Sequence, residues 1–219
     1  RPHLAYISHI PSQWLLKFPR QPYLFTILRE PIDRVLSHYY FQRELIQQGL
    51  IPRSQPFAEQ VAKLEIDEFI HRDPDRLRVC FGELQTRWMG GNPCWDLHEY
   101  APNVEHPNLT RWDLWWAKRQ LRQCVAVGAA HRLLESLQIL CHAIDWPAPA
   151  NVGRDNSNSN RANKDQLDPK TLRLLETITT ADRELFAEGT RLFERQLAKR
   201  GKPRFCAGRA PASFICAFD

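Results

Sequence analysis

The run YLFTIL (Tyr23 to Leu28) leads straight into Arg29-Glu30-Pro31 and then into apolar residues at Ile32, Val35, Leu36, Tyr39 and Tyr40. No other part of the chain constrains the fold as tightly. A short, continuous, β-favouring run suits a strand covered on both faces, as in a parallel sheet, better than an alternating half-exposed one. Pro31 fits the first turn of a helix, where no amide hydrogen is needed. The residues after it recur at helical spacing and predict a stripe packed on the sheet. Strand, turn and helix in that order make half of a β-α-β unit, which predicts an α/β fold with a parallel sheet flanked by helices.

The remaining segments extend this pattern. Phe57, Val61, Leu64 and Phe69 predict a second helix, and Arg76 to Met89 another short one. Gly90 to Pro107 is rich in Gly, Pro, Asn and His and reads as a long loop. Thr110 and Asp113 resemble a capping box that opens a tryptophan-rich helix. Its stripe is Trp112, Trp115, Trp116 and Leu121, with most of the tryptophans at core positions. CVAVGAA (Cys124 to Ala130) reads as a second buried strand, followed by a helix with Leu133, Leu134, Leu137, Leu140, Cys141 and Ile144 that stops before Pro147. Pro147 to Lys164 is a polar, Asn-rich loop long enough to predict a use. Asp168 and Pro169 open one last long helix, buried through Leu172, Leu175, Ile178, Leu185, Phe186, Phe193 and Leu197.

Composition narrows the class. A chain of 219 residues suits one domain with a sizeable core. No apolar run approaches the ~18 residues of a membrane-spanning helix, and no signal-peptide pattern opens the chain. It starts at Arg1 and its one methionine is Met89, which predicts a processed protein or a fragment. The net charge of +5 favours anionic ligands in general, but no Lys/Arg-rich block marks a nucleic-acid arm. The six cysteines are scattered without a C-x-x-C pair, which argues against a zinc site. Free thiols in a reducing compartment are the simpler reading, with one or two disulfides in a secretory lumen as the alternative.

In an open α/β sheet, ligands bind where the strands end and loops diverge. Arg29 sits at such an end, beside the positive end of the following helix. A guanidinium there can hold a phosphate through two parallel hydrogen bonds. Ser37 lies off the apolar stripe and can add one more. The competing reading is structural: a strand-end arginine is often a salt-bridge partner, and a helical serine is usually only solvated.

The string FTILREPIDRVLSHYYF resembles the 3′-phosphate-binding motif of sulfotransferases that use 3′-phosphoadenosine 5′-phosphosulfate (PAPS). Arg29, Pro31, Arg34, Ser37, Tyr39 and Tyr40 all fall in its register. The most similar branch is the carbohydrate one, which includes heparan 2-O-sulfotransferases and related bacterial enzymes. Downstream, LQTRWMGG, VGAAHRLLESLQIL and DRELFAEGTRLF resemble further segments of that family, with His131 and Phe186 as departures from its pattern.

The resemblance implies a P-loop NTPase-like sulfotransferase fold over residues 1–200, followed by an irregular tail over 201–219. It makes Arg29 and Ser37 the 3′-phosphate ligands and His9, in AYISHIPS, the base that takes the acceptor proton. Arg161 and Lys164, in the Asn-rich loop, become candidate contacts to the nucleotide. PAPS is then the sulfate donor, no metal is expected, and the partner is a hydroxyl acceptor of carbohydrate type, with no nucleic acid and no membrane segment. The family's first strand and phosphosulfate loop, a Pro-Lys-x-Gly-x-Thr-like turn, are missing from the sequence and are expected upstream of Arg1. The compartment would be the cytoplasm for a bacterial member and the Golgi lumen for an animal one. Two further readings compete: a non-catalytic remnant that keeps part of the nucleotide site, and a basic, tryptophan-rich nucleic-acid-binding module.

Overall fold

A computed structural model describes residues 23–52, 58–90, 108–153 and 162–199. Among these residues the protein is mainly helical around a two-stranded parallel sheet, an architecture within the α/β class. Strand β1 (Phe25–Leu28) runs into helix α1 (Pro31–Gln47), as the sequence predicts. The Glu30 side chain caps α1 by accepting the Asp33 amide at 2.7 Å. The buried face of α1 is Ile32, Val35, Leu36, Tyr39 and Ile46, spaced for one side of a helix.

Strand β2 (Ala126–Ala129) pairs with β1 in parallel, Phe25 opposite Ala126 and Leu28 opposite Ala129. β2 is buried throughout, whereas β1 is fully buried only at Leu28. Ser136 joins the end of β2 to helix α7 (Leu133–Ala143), accepting the Ala129 amide at 2.9 Å. That close approach needs Gly128, since a Cβ there would lie 2.5 Å from the Ser136 Cβ.

The second helix anticipated from Phe57 to Phe69 is two short ones, α2 (Ala58–Lys63) and α3 (Ile66–Arg72), with Phe57 outside the described residues. Helix α4 (Pro74–Leu77) continues into a π-type turn (Arg78–Gly82), and α5 (Leu84–Gly90) follows. The loop anticipated over Gly90 to Pro107 lies outside the described residues except for Gly90, which ends α5. The Thr110–Asp113 capping box opens α6 (Arg111–Gln123) in both of its hydrogen bonds.

Two expectations are corrected. The last helix is two helices, α8 (Pro169–Ile178) and α9 (Thr180–Ala198), broken at Thr179. Thr177, Thr179 and Thr180 form a β-branched cluster whose hydroxyls bond back to carbonyls of the preceding turn, the Thr179 hydroxyl reaching the Leu175 carbonyl at 2.7 Å. Such bonds bend a helix. The tryptophans of α6 are not core residues either: Trp112 is 67% exposed and Trp115 44%. The helix buries Ala117 and Leu121 instead. At ~100° per residue Leu121 lies on the opposite side from Trp112, so the anticipated stripe mixed two faces.

One apolar cluster joins α1, α2, α3, α4, the π-type turn and α8. A second, with Leu28, Leu121, Val127 and Leu185, ties the sheet to α6 and α9. A third links β2, α7 and Phe193 of α9. Helix α9 crosses β1 at Gly189, where a Cβ would come 2.4 Å from a Leu28 methyl. Cys124 and Cys141 are buried and outside any disulfide among the described residues, and burial pushes the Cys124 thiol up to about 12.

At Gly82 an added Cβ would sit 2.3 Å from the Ile178 carbonyl oxygen, a backbone atom that cannot swing aside. Gly82→Ala is expected to cost about 1–3 kcal/mol of stability in urea unfolding, against a few tenths for Gly153→Ala, where space is open.

Candidate functional site

Arg29 follows β1 directly, and both of its peptide groups are taken by one side chain. Its amide donates to Gln85 Oε1 at 2.9 Å, and its carbonyl accepts from Gln85 Nε2 at 3.0 Å. Gln85 thus occupies the position a neighbouring strand's peptide would take, and fixes the Arg29 backbone between β1 and α1.

The Arg29 guanidinium then reaches along α1. Its Nη1 donates to Ser37 Oγ at 2.7 Å and its Nε to Asp33 Oδ2 at 3.1 Å. Ser37 and Asp33 are one turn apart, so the planar fork bridges both. The side chain is 31% exposed and Asp33 43%, which leaves the guanidinium within reach of a ligand. The two cofactor ligands expected from the sequence are therefore in direct contact.

Below this pair lies a buried set of charges. Asp182 of α9 is fully buried and accepts the Thr86 amide at 2.7 Å and the Gln85 amide at 3.2 Å. It caps α5 from another helix and thereby aims Gln85 at Arg29. Arg34 donates to the Phe81 carbonyl and holds its Nε 3.9 Å from Asp182 Oδ2. Burial lowers Arg34 to about 10, with Asp182 opposing the shift. Burial likewise pushes the Asp182 carboxyl up, with Arg34 and the amide donors pulling it back. Glu83, beside them, is held above the usual carboxylate range by burial. Arg87 is also fully buried in this layer.

The positive end of α1 is less open to an anion than the sequence implies. Pro31 has no amide hydrogen, and the Asp33 amide already serves Glu30. The polar groups left at this end of α1 are the Arg29 guanidinium and the Ser37 hydroxyl, with the Asp33 carboxylate on Arg29 and the Glu30 carboxylate on the Asp33 amide.

Of the other expected residues only Lys164 is among the described residues, and it is not joined to this pair. Lys164 opens a short 3₁₀ turn (Lys164–Gln166), is exposed, and makes no hydrogen bond to Arg29 or Ser37. His9 and Arg161 lie outside the described residues. Gln85 and Asp182 are the participants that the sequence did not single out for this role. Their only signal is their place in the segments LQTRWMGG and DRELFAEGTRLF. Among the described residues no group of three His, Cys, Asp or Glu side chains could hold a metal ion, and no helix is long and apolar enough to cross a membrane.

No family model matches the chain, and neither the curated proteins nor the solved structures contain a match.

The two arginines separate in a stability measurement. Asp182→Ala leaves Arg34 buried without its counter-charge and is expected to cost about 3–5 kcal/mol. Arg29→Ala breaks a half-exposed pair and is expected to cost about 1 kcal/mol or less. Parallel denaturant titrations of the two variants check both values.

Proposed function

We propose that the protein is a sulfotransferase that moves a sulfuryl group from PAPS to a hydroxyl, with a carbohydrate as the acceptor. The observation that carries this reading is the meeting of Arg29 and Ser37, at 2.7 Å, at the carboxyl end of a parallel strand. Two donors there suit a phosphate held outside a strand end. Their register in FTILREPIDRVLSHYYF resembles the 3′-phosphate motif of PAPS-dependent enzymes. In that reading the fold is the P-loop-like sulfotransferase one, and β1 and β2 are two strands of its sheet.

Sulfuryl transfer makes three demands. The acceptor oxygen must line up with sulfur, charge on the transferred group must be stabilised, and the acceptor proton must leave. The acceptor oxygen forms the new S–O bond as the bond from sulfur to the 5′-phosphate oxygen breaks, and adenosine 3′,5′-bisphosphate departs. His9 takes the acceptor proton, a task for which imidazole is suited near neutral pH. Arg29 and Ser37 hold the 3′-phosphate, so their part is to bind and orient the donor. Arg161 and Lys164 add positive charge over the nucleotide.

A second reading, a binding protein that keeps part of the nucleotide site without transferring sulfate, is favoured by the carboxylates at the mouth of the site. Asp33 already neutralises Arg29, and Glu30 already caps α1.

Calorimetry with adenosine 3′,5′-bisphosphate tests the nucleotide assignment. Binding is expected, and Arg29→Ala is expected to weaken it by about ten- to a hundredfold, the loss of charge-assisted hydrogen bonds. Equal affinity in wild type and variant would refute the assignment. Transfer of labelled sulfate from PAPS to an oligosaccharide pool, abolished in His9→Ala, separates the enzyme from the binding protein.

A further inference from the structure

The solvent face of α6 carries a stack that the nucleotide site does not use. Trp112 and Trp115 lie face to face, with ring centroids 4.7 Å apart and planes 17° from parallel. Trp116 leans on Trp115 at 5.8 Å, and the Arg119 guanidinium lies 5.6 Å from the centroids of both Trp115 and Trp116. Residues 112, 115, 116 and 119 are spaced to share one helix face. Trp112, Trp115 and Arg119 are all exposed. Exposed tryptophans are costly to leave in water, and a patch of them marks a contact surface.

The charges beside the stack describe its ligand. Lys118 is paired with Glu184 at 2.7 Å and Arg122 with Glu188 at 2.9 Å. Arg111 and Arg119, both exposed, form no ion pair among the described residues. Flat apolar faces with two available cations suit a ligand that is ring-shaped and sparsely anionic. A nucleic-acid strand carries a charge at every nucleotide and needs a continuous basic track. Here Lys118 is paired with Glu184, and Arg122 shares the buried Glu188 with Arg191 of α9, so the cations of α6 left without a carboxylate are the two at the ends of the stack and form no continuous track.

α6 is also linked to the candidate site. Gln85, near the start of α5, holds Arg29, and Gly90, at its end, abuts α6 where a Cβ would lie 3.1 Å from the Asp113 carbonyl. The rise from Gln85 to Gly90 is about 8 Å. α6 is thereby joined, through α5, to the side chain that holds the Arg29 peptide.

We propose that the Trp112–Trp115–Arg119 stack is a binding platform for an acidic carbohydrate, with a pyranose face packed on the outer face of Trp112, the exposed edge of Trp115 beside it, and uronate carboxylates on Arg119 and Arg111. The choice of carbohydrate rests on the sulfuryl-transfer reading as well as on the charge pattern. Calorimetry of the full chain with a hexasaccharide of alternating glucuronate and N-acetylglucosamine tests it, alongside octathymidylate and adenosine 3′,5′-bisphosphate. The hexasaccharide is expected to bind. Trp112→Ala/Trp115→Ala and, separately, Arg119→Glu are expected to weaken it about tenfold or more. Bisphosphate affinity should stay unchanged in both variants, which also reports that they are folded. The proposal is overturned if the hexasaccharide fails to bind, if both variants bind it like wild type, or if octathymidylate binds more tightly. It is also overturned if the double variant abolishes a concentration-dependent dimer seen by ultracentrifugation, since the stack would then be a self-association surface. Loss of the sugar in the variants with no bisphosphate binding by wild type removes the nucleotide reading and leaves the platform; bisphosphate binding without sugar binding does the reverse.

Discussion

The buried Asp182 carboxylate is the interaction on which the rest of the site depends. It sits on α9, the helix that crosses the sheet, and accepts the first amides of α5. A carboxylate removed from water is tolerated only with donors and a counter-charge around it. The two amides and Arg34 supply them. In satisfying Asp182 the chain fixes α5 against α9, and α5 in turn sets Gln85 against the Arg29 peptide. The strand end, the π-type turn that receives Arg34, and the two longest helices are thereby coupled through one side chain.

Arg29 and Arg34 show how burial divides two residues of one type. Arg34 faces inward, its charge met by Asp182 and a carbonyl, and its guanidinium lowered to about 10 by desolvation. Arg29 faces outward, held in one orientation by Asp33 and Ser37 but left a third exposed. Pre-orientation of this kind reduces the entropy lost when a ligand is gripped. It also offsets part of the charge, because Asp33 competes with any anion for the same fork.

What the sequence made legible was local. The strand–turn–helix from Tyr23, the proline in the first turn of α1, and the Thr110–Asp113 box all arise from contacts within a few residues, and spacing alone exposes them. The bonds that shape the site do not. Gln85 reaches Arg29 across 56 positions and Asp182 reaches Thr86 across 96, so no periodicity could announce them. The break at Thr179 follows from hydroxyl back-bonding that competes with an otherwise regular apolar stripe. The spacing of Trp112, Trp115 and Trp116 reads as the buried stripe of α6, but Trp112 lies opposite Leu121 around the helix and the face that is buried is that of Ala117 and Leu121. Apolar spacing alone does not say which of two faces a helix buries.

The pairing of Gln85 with the Arg29 peptide has a consequence for the strand itself. An unpaired strand end offers its peptide groups to any extended chain, including another copy. Here a side-chain amide occupies that edge and, unlike a strand, presents no further row of donors and acceptors. It also keys the register. A slip of one residue along β1 would turn Arg29 to the other side of the sheet, and would bring a different peptide to Gln85. The glutamine therefore acts as a stop that holds the arginine on the face where Ser37 waits.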